Sequence, residues 1–176
     1  MKTPITAIVA WTAASGLALS AGATSAGAMN NGAVAATPNA QIAAPIHQFI
    51  DAFNKGDTKT AAAAHWAADL TITDEVPPHV WKGPNAFSTW AHDLATNDAK
   101  QGIVNEQVAL GAVSRTESDG RHAYVVVPAV YHFKQHGAAM HETAQMTFAL
   151  RKGPGGWRIS AWTWTGPKPE ADAPAP

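Results

Sequence analysis

The chain has 176 residues, with 12 Lys and Arg against 13 Asp and Glu, a formal net charge of −1 and no cysteine. That length suits one ordinary domain and is short for two. Balanced charge argues against a nucleic-acid partner, and the lack of cysteine excludes disulfides, thiolate chemistry and Cys-ligated zinc.

The N-terminus reads as a processing segment. Met1-Lys2 gives a short positive start, Ile5 to about Ala23 is apolar and small, and small-x-small sites follow at Ala21-Gly22-Ala23 and Ala26-Gly27-Ala28. This is the pattern of a secretory signal peptide. Residues 1–28 are therefore expected to be removed on export. The mature protein would be secreted or periplasmic, with no stable membrane insertion. An uncleaved anchor is the alternative, disfavoured by Thr12, Ser15 and Gly16 in the apolar run. Residues 29–39, rich in Asn, Gly and Ala, read as a linker, residues 40–165 as the domain, and residues 166–176 as a Pro-rich tail expected to be disordered.

Within the domain, Ile42, Ile46, Phe49, Ile50 and Phe53 recur at helical spacing and predict a first helix from near Ala40 to Lys55. Pro45 would sit in the first turn of a shorter helix or kink a longer one. Gly56 ends the helix and Asp57 caps a short second one. Leu70 to Thr73 alternates as a strand. A third helix starts near Pro84, with Phe87, Trp90, Ala91 and Leu94 on one face. Strands follow: Ile103 to about Arg115, His122 to about Gln135, Met140 to about Arg151, and Trp157 to Thr165, with turns at Ser118-Asp119-Gly120, His136-Gly137-Ala138-Ala139 and Gly153-Pro154-Gly155-Gly156. Helices first and a meander later predict an α+β domain, with a curved antiparallel sheet wrapped around three N-terminal helices.

The longest strand is apolar on both faces. Ala123, Val125, Val127, Ala129, Tyr131 and Phe133 share one, and Tyr124, Val126, Pro128 and Val130 the other. One face would cover the helices, and the other calls for a second copy of the chain, so a homodimer is expected. Pro128 has no ladder donor, which predicts a bulge or bend there.

Leu70-Thr71-Ile72-Thr73-Asp74-Glu75-Val76-Pro77-Pro78-His79-Val80-Trp81-Lys82-Gly83 holds the leading chemical candidate. Asp74 lies where a strand ends, at the mouth of any pocket between sheet and helices. Strand alternation would send Asp74 and Glu75 to opposite faces. The plainer role for Asp74 is to cap the turn through backbone amides.

The order of these elements, with Phe49-Ile50-Asp51-Ala52-Phe53-Asn54-Lys55-Gly56-Asp57, then Trp66 to Asp74, then Trp81-Lys82-Gly83-Pro84, then a meander ending Trp157-Arg158-Ile159-Ser160-Ala161-Trp162, resembles the nuclear-transport-factor-2-like superfamily. Its SnoaL-like and ketosteroid-isomerase-like branch is the nearer likeness. The resemblance implies a cone-shaped domain enclosing an apolar pocket, often in a homodimer. It implies little about function, since the superfamily holds isomerases, cyclases, dehydratases, hydrolases, carriers and non-catalytic dimerisation modules. In the ketosteroid isomerases the acid at the end of the first strand is the general base, and Asp74 matches it by position. The isomerase's oxyanion tyrosine is matched by Phe49, and its late-strand acid by an apolar residue near Met146. Without those donors a steroid isomerase is not implied.

Two functions stay open from the residues. One is binding of a small hydrophobic ligand in a pocket lined by Phe49, His79, Trp81, Trp90, Tyr131 and Trp162. The other is a cofactor-independent isomerase, lyase or hydrolase with Asp74 as general base and a pocket histidine, such as His47 or His65, or a tyrosine assisting. A non-catalytic dimerisation module is a third reading. No cofactor is expected. His132 and His141, counted outward from a four-residue turn, would fall diagonally on adjacent strands, His132 opposite Thr143 and His141 opposite Lys134. Two histidines beside a lysine make too thin a donor set, so no metal is expected either.

Overall fold

A computed structural model of the chain describes residues 36–173. The expected signal segment and residues 29–35 of the linker lie outside the described residues. No helix among the described residues is long and apolar enough to cross a membrane.

Three helices open the domain. α1 (Pro38–Asn54) starts at Thr37, whose hydroxyl accepts from Ala40 N at 3.3 Å, with Pro38 preset for the first turn. Pro45 lies inside this longer helix and is buried. Its apolar stripe, Ile42, Ile46, Phe49 and Ile50, is at most 4 % exposed. α2 (Thr58–Ala63) is capped as expected by Asp57, whose carboxylate accepts from Thr60 N at 3.0 Å. α3 (Ala86–Gln101) ends at Gly102 in the left-handed region, φ 65°.

Between α2 and α3, β1 (Thr71–Thr73) and β2 (Val80–Lys82) form a hairpin around the cis Pro77–Pro78 bond. The remaining strands are β3 (Ile103–Leu110), β4 (Arg115–Ser118), β5 (His122–Gln135), β6 (Ala138–Gly153), β7 (Gly156–Thr165) and β8 (Glu170–Ala171). They make one sheet in the order β2-β1-β7-β6-β5-β3, with β4 also on β5 and β8 on β6. β1 runs parallel to β7 and every other pairing is antiparallel. The architecture is the α+β one expected, three helices followed by a curved, largely antiparallel sheet.

Four local expectations are corrected. The stretch 103–115 is two strands, because the ladder to β5 is interrupted at Ala112–Val113, between the bonds of Gly111 N and Ser114 N to β5, and resumes as β4. Pro128 makes no bulge: β5 pairs β6 without a register shift from His122↔Arg151 to Gln135↔Ala138. Its missing N–H falls where β5 changes partner from β3 to β4, and its carbonyl accepts from Gly111 N at 2.8 Å. The irregularity is carried by the neighbouring chain. The β5–β6 turn has two residues, His136 (φ 51°) and Gly137 (φ 87°), both in the left-handed region as a tight hairpin requires. Pairing therefore starts two residues sooner, and His132 lies directly opposite His141. Finally, the tail is ordered through Asp172. β8 pairs Met140 and His141, and Asp172 accepts from His141 Nδ1 at 2.7 Å.

The core lies between the helices and the inner face of the sheet. One row of paired residues crosses it, Trp81 on β2, Ile72 on β1, Trp162 on β7, Phe148 on β6 and Val125 on β5, each at most 4 % exposed. Phe49 from α1 sits over this row, 5.5 Å from Trp162 and 6.1 Å from Trp90 between ring centroids. The outer face is only partly covered within one chain. Val126 is buried, whereas Tyr124 is 40 % exposed and Pro128 is exposed.

Candidate functional site

At the end of the inner face beyond this row, the helices and the sheet diverge and leave a cavity of about 90 Å³. α1 supplies Phe49 and Phe53, α3 supplies Trp90 and Asp98, and the sheet supplies Tyr131 and Trp162. Of the residues expected at a pocket, Phe49, Asp74, Trp90, Tyr131 and Trp162 meet here, and Met146 lines it too. His79 and Trp81 do not. His79 is exposed on the β1–β2 turn at φ 74°. Trp81 is buried but ties β2 to α3, its Nε1 donating to Asp93 at 2.8 Å. His47 is exposed on α1. His65 is buried against Phe49 and Phe87, with Nδ1 2.9 Å from the Ala61 carbonyl. Burial in that apolar setting holds His65 down at about 4, so it is neutral at ordinary pH.

Asp74 faces the cavity just past the end of β1 and is fully engaged. One carboxylate oxygen accepts from Glu75 N at 2.6 Å and the other from Trp90 Nε1 at 2.7 Å. It is therefore both the turn cap and a pocket wall. Burial raises its pKa, against the lowering effect of those bonds. Glu75 also lines the cavity. Alternation does not part the two acids, because β1 stops at Thr73 and both belong to the turn.

Three more carboxyls gather around this wall. Asp98 is 5 % exposed, and burial together with nearby Glu106 raises it to about 6. Glu142 is 1 % exposed. Its Oε1 accepts from Trp164 Nε1 at 2.7 Å, and Glu75 stands close enough for the two carboxyls to act on each other. Burial of the Glu75 carboxyl, reinforced by Glu142, pushes it up to about 8, although Glu75 as a whole residue is exposed. Burial also raises Glu106 and Glu142. The tail passes close over this pair. A Cβ on Gly166 would collide with Glu142 Oε1, and Pro169 lines the cavity.

Among the described residues four buried polar atoms around the cavity have no hydrogen-bond partner: Asp98 Oδ2, Tyr131 Oη, Trp162 Nε1 and Glu142 Oε2. Two are donors and two are acceptors. Burial and the surrounding acids raise Tyr131, so it keeps its proton and can donate.

These carboxyls set a pH dependence. A carboxyl whose pKa is raised on folding stabilises the native chain while protonated, and that contribution is lost as pH rises through its folded value. His65 acts oppositely: its folded value of about 4 lies below the ordinary 6.5, so stability rises with pH up to there. Above about pH 6.5 only the carboxyls remain, with Glu75 titrating at about 8. The denaturation midpoint is thus expected to fall between about pH 6.5 and 8.5, and Glu75→Gln to flatten that slope, as urea titrations across the range would read out.

Comparison with known proteins places this geometry in a family. No curated protein matches the chain by sequence. Among solved structures, a nuclear transport factor 2-like superfamily protein from Salmonella enterica serovar Typhimurium LT2 is similar, with 17 % identity, a TM-score of 0.60, and 73 % of this chain and 89 % of that one covered. A ketosteroid isomerase-like protein from Erwinia carotovora atroseptica SCRI1043 has 17 % identity and a TM-score of 0.58 over 74 % and 96 % of the two chains. A hexachlorocyclohexane dehydrochlorinase has 16 % identity and a TM-score of 0.60 over 75 % and 89 %. At such identities these show a common fold. The model of the SnoaL-like domain matches residues 42–163. The chain therefore belongs to the SnoaL-like domain family.

Proposed function

We propose that this protein binds a small hydrophobic molecule in the cavity between α1, α3 and the sheet. The carrying observation is a largely apolar, aromatic-lined space with unpartnered polar atoms in its wall. At about 90 Å³ it is narrow beside the few hundred Å³ usual for drug-sized ligands, which favours a single ring or a short branched chain over a steroid. Native mass spectrometry of protein purified from its own host tests this. A discrete small adduct is expected on the wild type and is expected to be lost in Val108→Trp, which fills the cavity from β3. An adduct that survives Val108→Trp would place the ligand elsewhere.

A second reading keeps Asp74 as the general base of a cofactor-independent isomerase, lyase or hydrolase. What favours it is Tyr131, an unpartnered phenol lining the same cavity, able to stabilise an oxyanion in place of the donors missing at Phe49 and Met146. Asp74→Asn leaves one hydrogen bond unmade and is expected to lower stability by about 1–3 kcal/mol. If Asp74 is the base, turnover of any substrate found falls by orders of magnitude in this variant, while ligand affinity changes little. Equal losses in affinity and turnover would assign Asp74 to binding.

The partner reading is a homodimer through the outer sheet face. Tyr124, Pro128 and Val130 on β5 are flanked there by the uncharged Thr143, Gln145, Thr147 and Ala149 on β6, and on the β4 side by Arg115, whose guanidinium lies over the Tyr124 ring, and Glu117. Val130→Glu is expected to shift the protein from dimer to monomer in analytical ultracentrifugation. A wild-type monomer would remove this reading. Export to the periplasm or beyond rests on the N-terminal pattern of residues 1–28.

A further inference from the structure

Resting on that binding reading, we propose that the ligand is a lipophilic amine, held as its protonated cation with its apolar body among the aromatic rings and its ammonium group against Asp98. The lining contains no Lys, Arg or His, whereas Asp74, Glu75 and Asp98 all line it and Glu142 and Glu106 stand close by. None of these five acids pairs with a base among the salt bridges of the described residues, which lie at Arg115–Glu117, His122–Asp119, His141–Asp172 and Arg151–Asp69. His79, on the turn, is the one basic group acting on Asp74. An anionic ligand would be repelled, whereas a cation gives Asp98 Oδ2 the charged partner that no protein group supplies.

Asp98 is the anchor. It is 95 % buried, Oδ2 has no partner among the protein groups, and Oδ1 has only a 3.4 Å contact with Asn97 Nδ2. It follows Phe87, Trp90 and Leu94 along one stripe of α3, so its carboxyl points where that stripe points, at the cavity. Trp90 and Trp162, 5.0 Å apart and nearly perpendicular, line the same cavity with Tyr131. Aromatic rings and a buried carboxylate in one cavity suit the apolar body and the charged end of an organic ammonium ion. The raised carboxyls add a signature. An entering cation favours their ionised forms, so binding near neutral pH releases protons.

Calorimetry with benzylamine and its neutral counterpart benzyl alcohol, on the wild-type protein at about pH 8, decides the matter. Benzylamine is expected to bind at least about tenfold more tightly. That advantage should shrink at about pH 5.5, where the carboxyls take up protons. Heats measured in two buffers of different ionisation enthalpy should show net proton release. Asp98→Asn should abolish the preference for benzylamine over benzyl alcohol, with circular dichroism confirming the fold. If benzyl alcohol binds as tightly as benzylamine, the cationic ligand is overturned and the hydrophobic pocket stands. If neither binds, the pocket reading itself fails. If the wild type shows no preference for the amine, the proposal falls whether or not Asp98→Asn folds.

Discussion

Fourteen uninterrupted residue pairs between β5 and β6 organise everything else. A hairpin that long cannot be covered on both faces by about 39 helical residues, so the helices cover one face and the other stays partly exposed in the single chain. The inner face is filled near β1 and β2, where Trp81, Ile72, Trp162 and Phe148 line up under Phe49. At the opposite end the row Val108, Tyr131 and Glu142 continues without enough helix to fill the space above it. The pocket lies where the sheet extends past its packing partners.

Much of this was legible as periodicity. α1 and β5 carry clear apolar patterns and α3 one that Asp98 interrupts, and their limits fall within a few residues of those expected. What escaped was set by tertiary pairing. Three-residue β2 has no pattern long enough to read, and β1 runs parallel to a strand some ninety residues away. The tail has a Pro-rich composition that reads as disorder, yet its pairing comes from β6 and its fit from Gly166. The His132–His141 pairing was misplaced because the turn was counted as four residues, when positive φ at both His136 and Gly137 closes it in two.

The site was half legible. Asp74 and the aromatic residues stood out, but Asp98 and Glu142 did not, although each breaks a pattern that the sequence displays. Asp98 continues the apolar stripe of Phe87, Trp90 and Leu94 on a helix. Glu142 alternates with Met140, Ala144, Met146 and Phe148 on the inner face of a strand. A carboxyl in a core-facing register is rare unless compensated, which is the signal that could have found both. His79 and Trp81 pointed the other way. Proximity in sequence to Asp74 suggested the pocket, but the hairpin carries Trp81 under α3 and leaves His79 on the surface.

β8 has a consequence of another kind. β7 pairs β6 only from Gln145 onward, so the first residues of β6 past the β5 hairpin turn project as a strand with one free edge. Such an edge offers unpaired backbone groups to any other extended chain. β8 occupies that edge at Met140 and His141, and the two prolines before it, Pro167 and Pro169, have no amide hydrogens with which to recruit a further strand. The C-terminal segment is thus a terminator for the sheet as well as a wall of the pocket, and it stands against end-to-end strand addition at that edge.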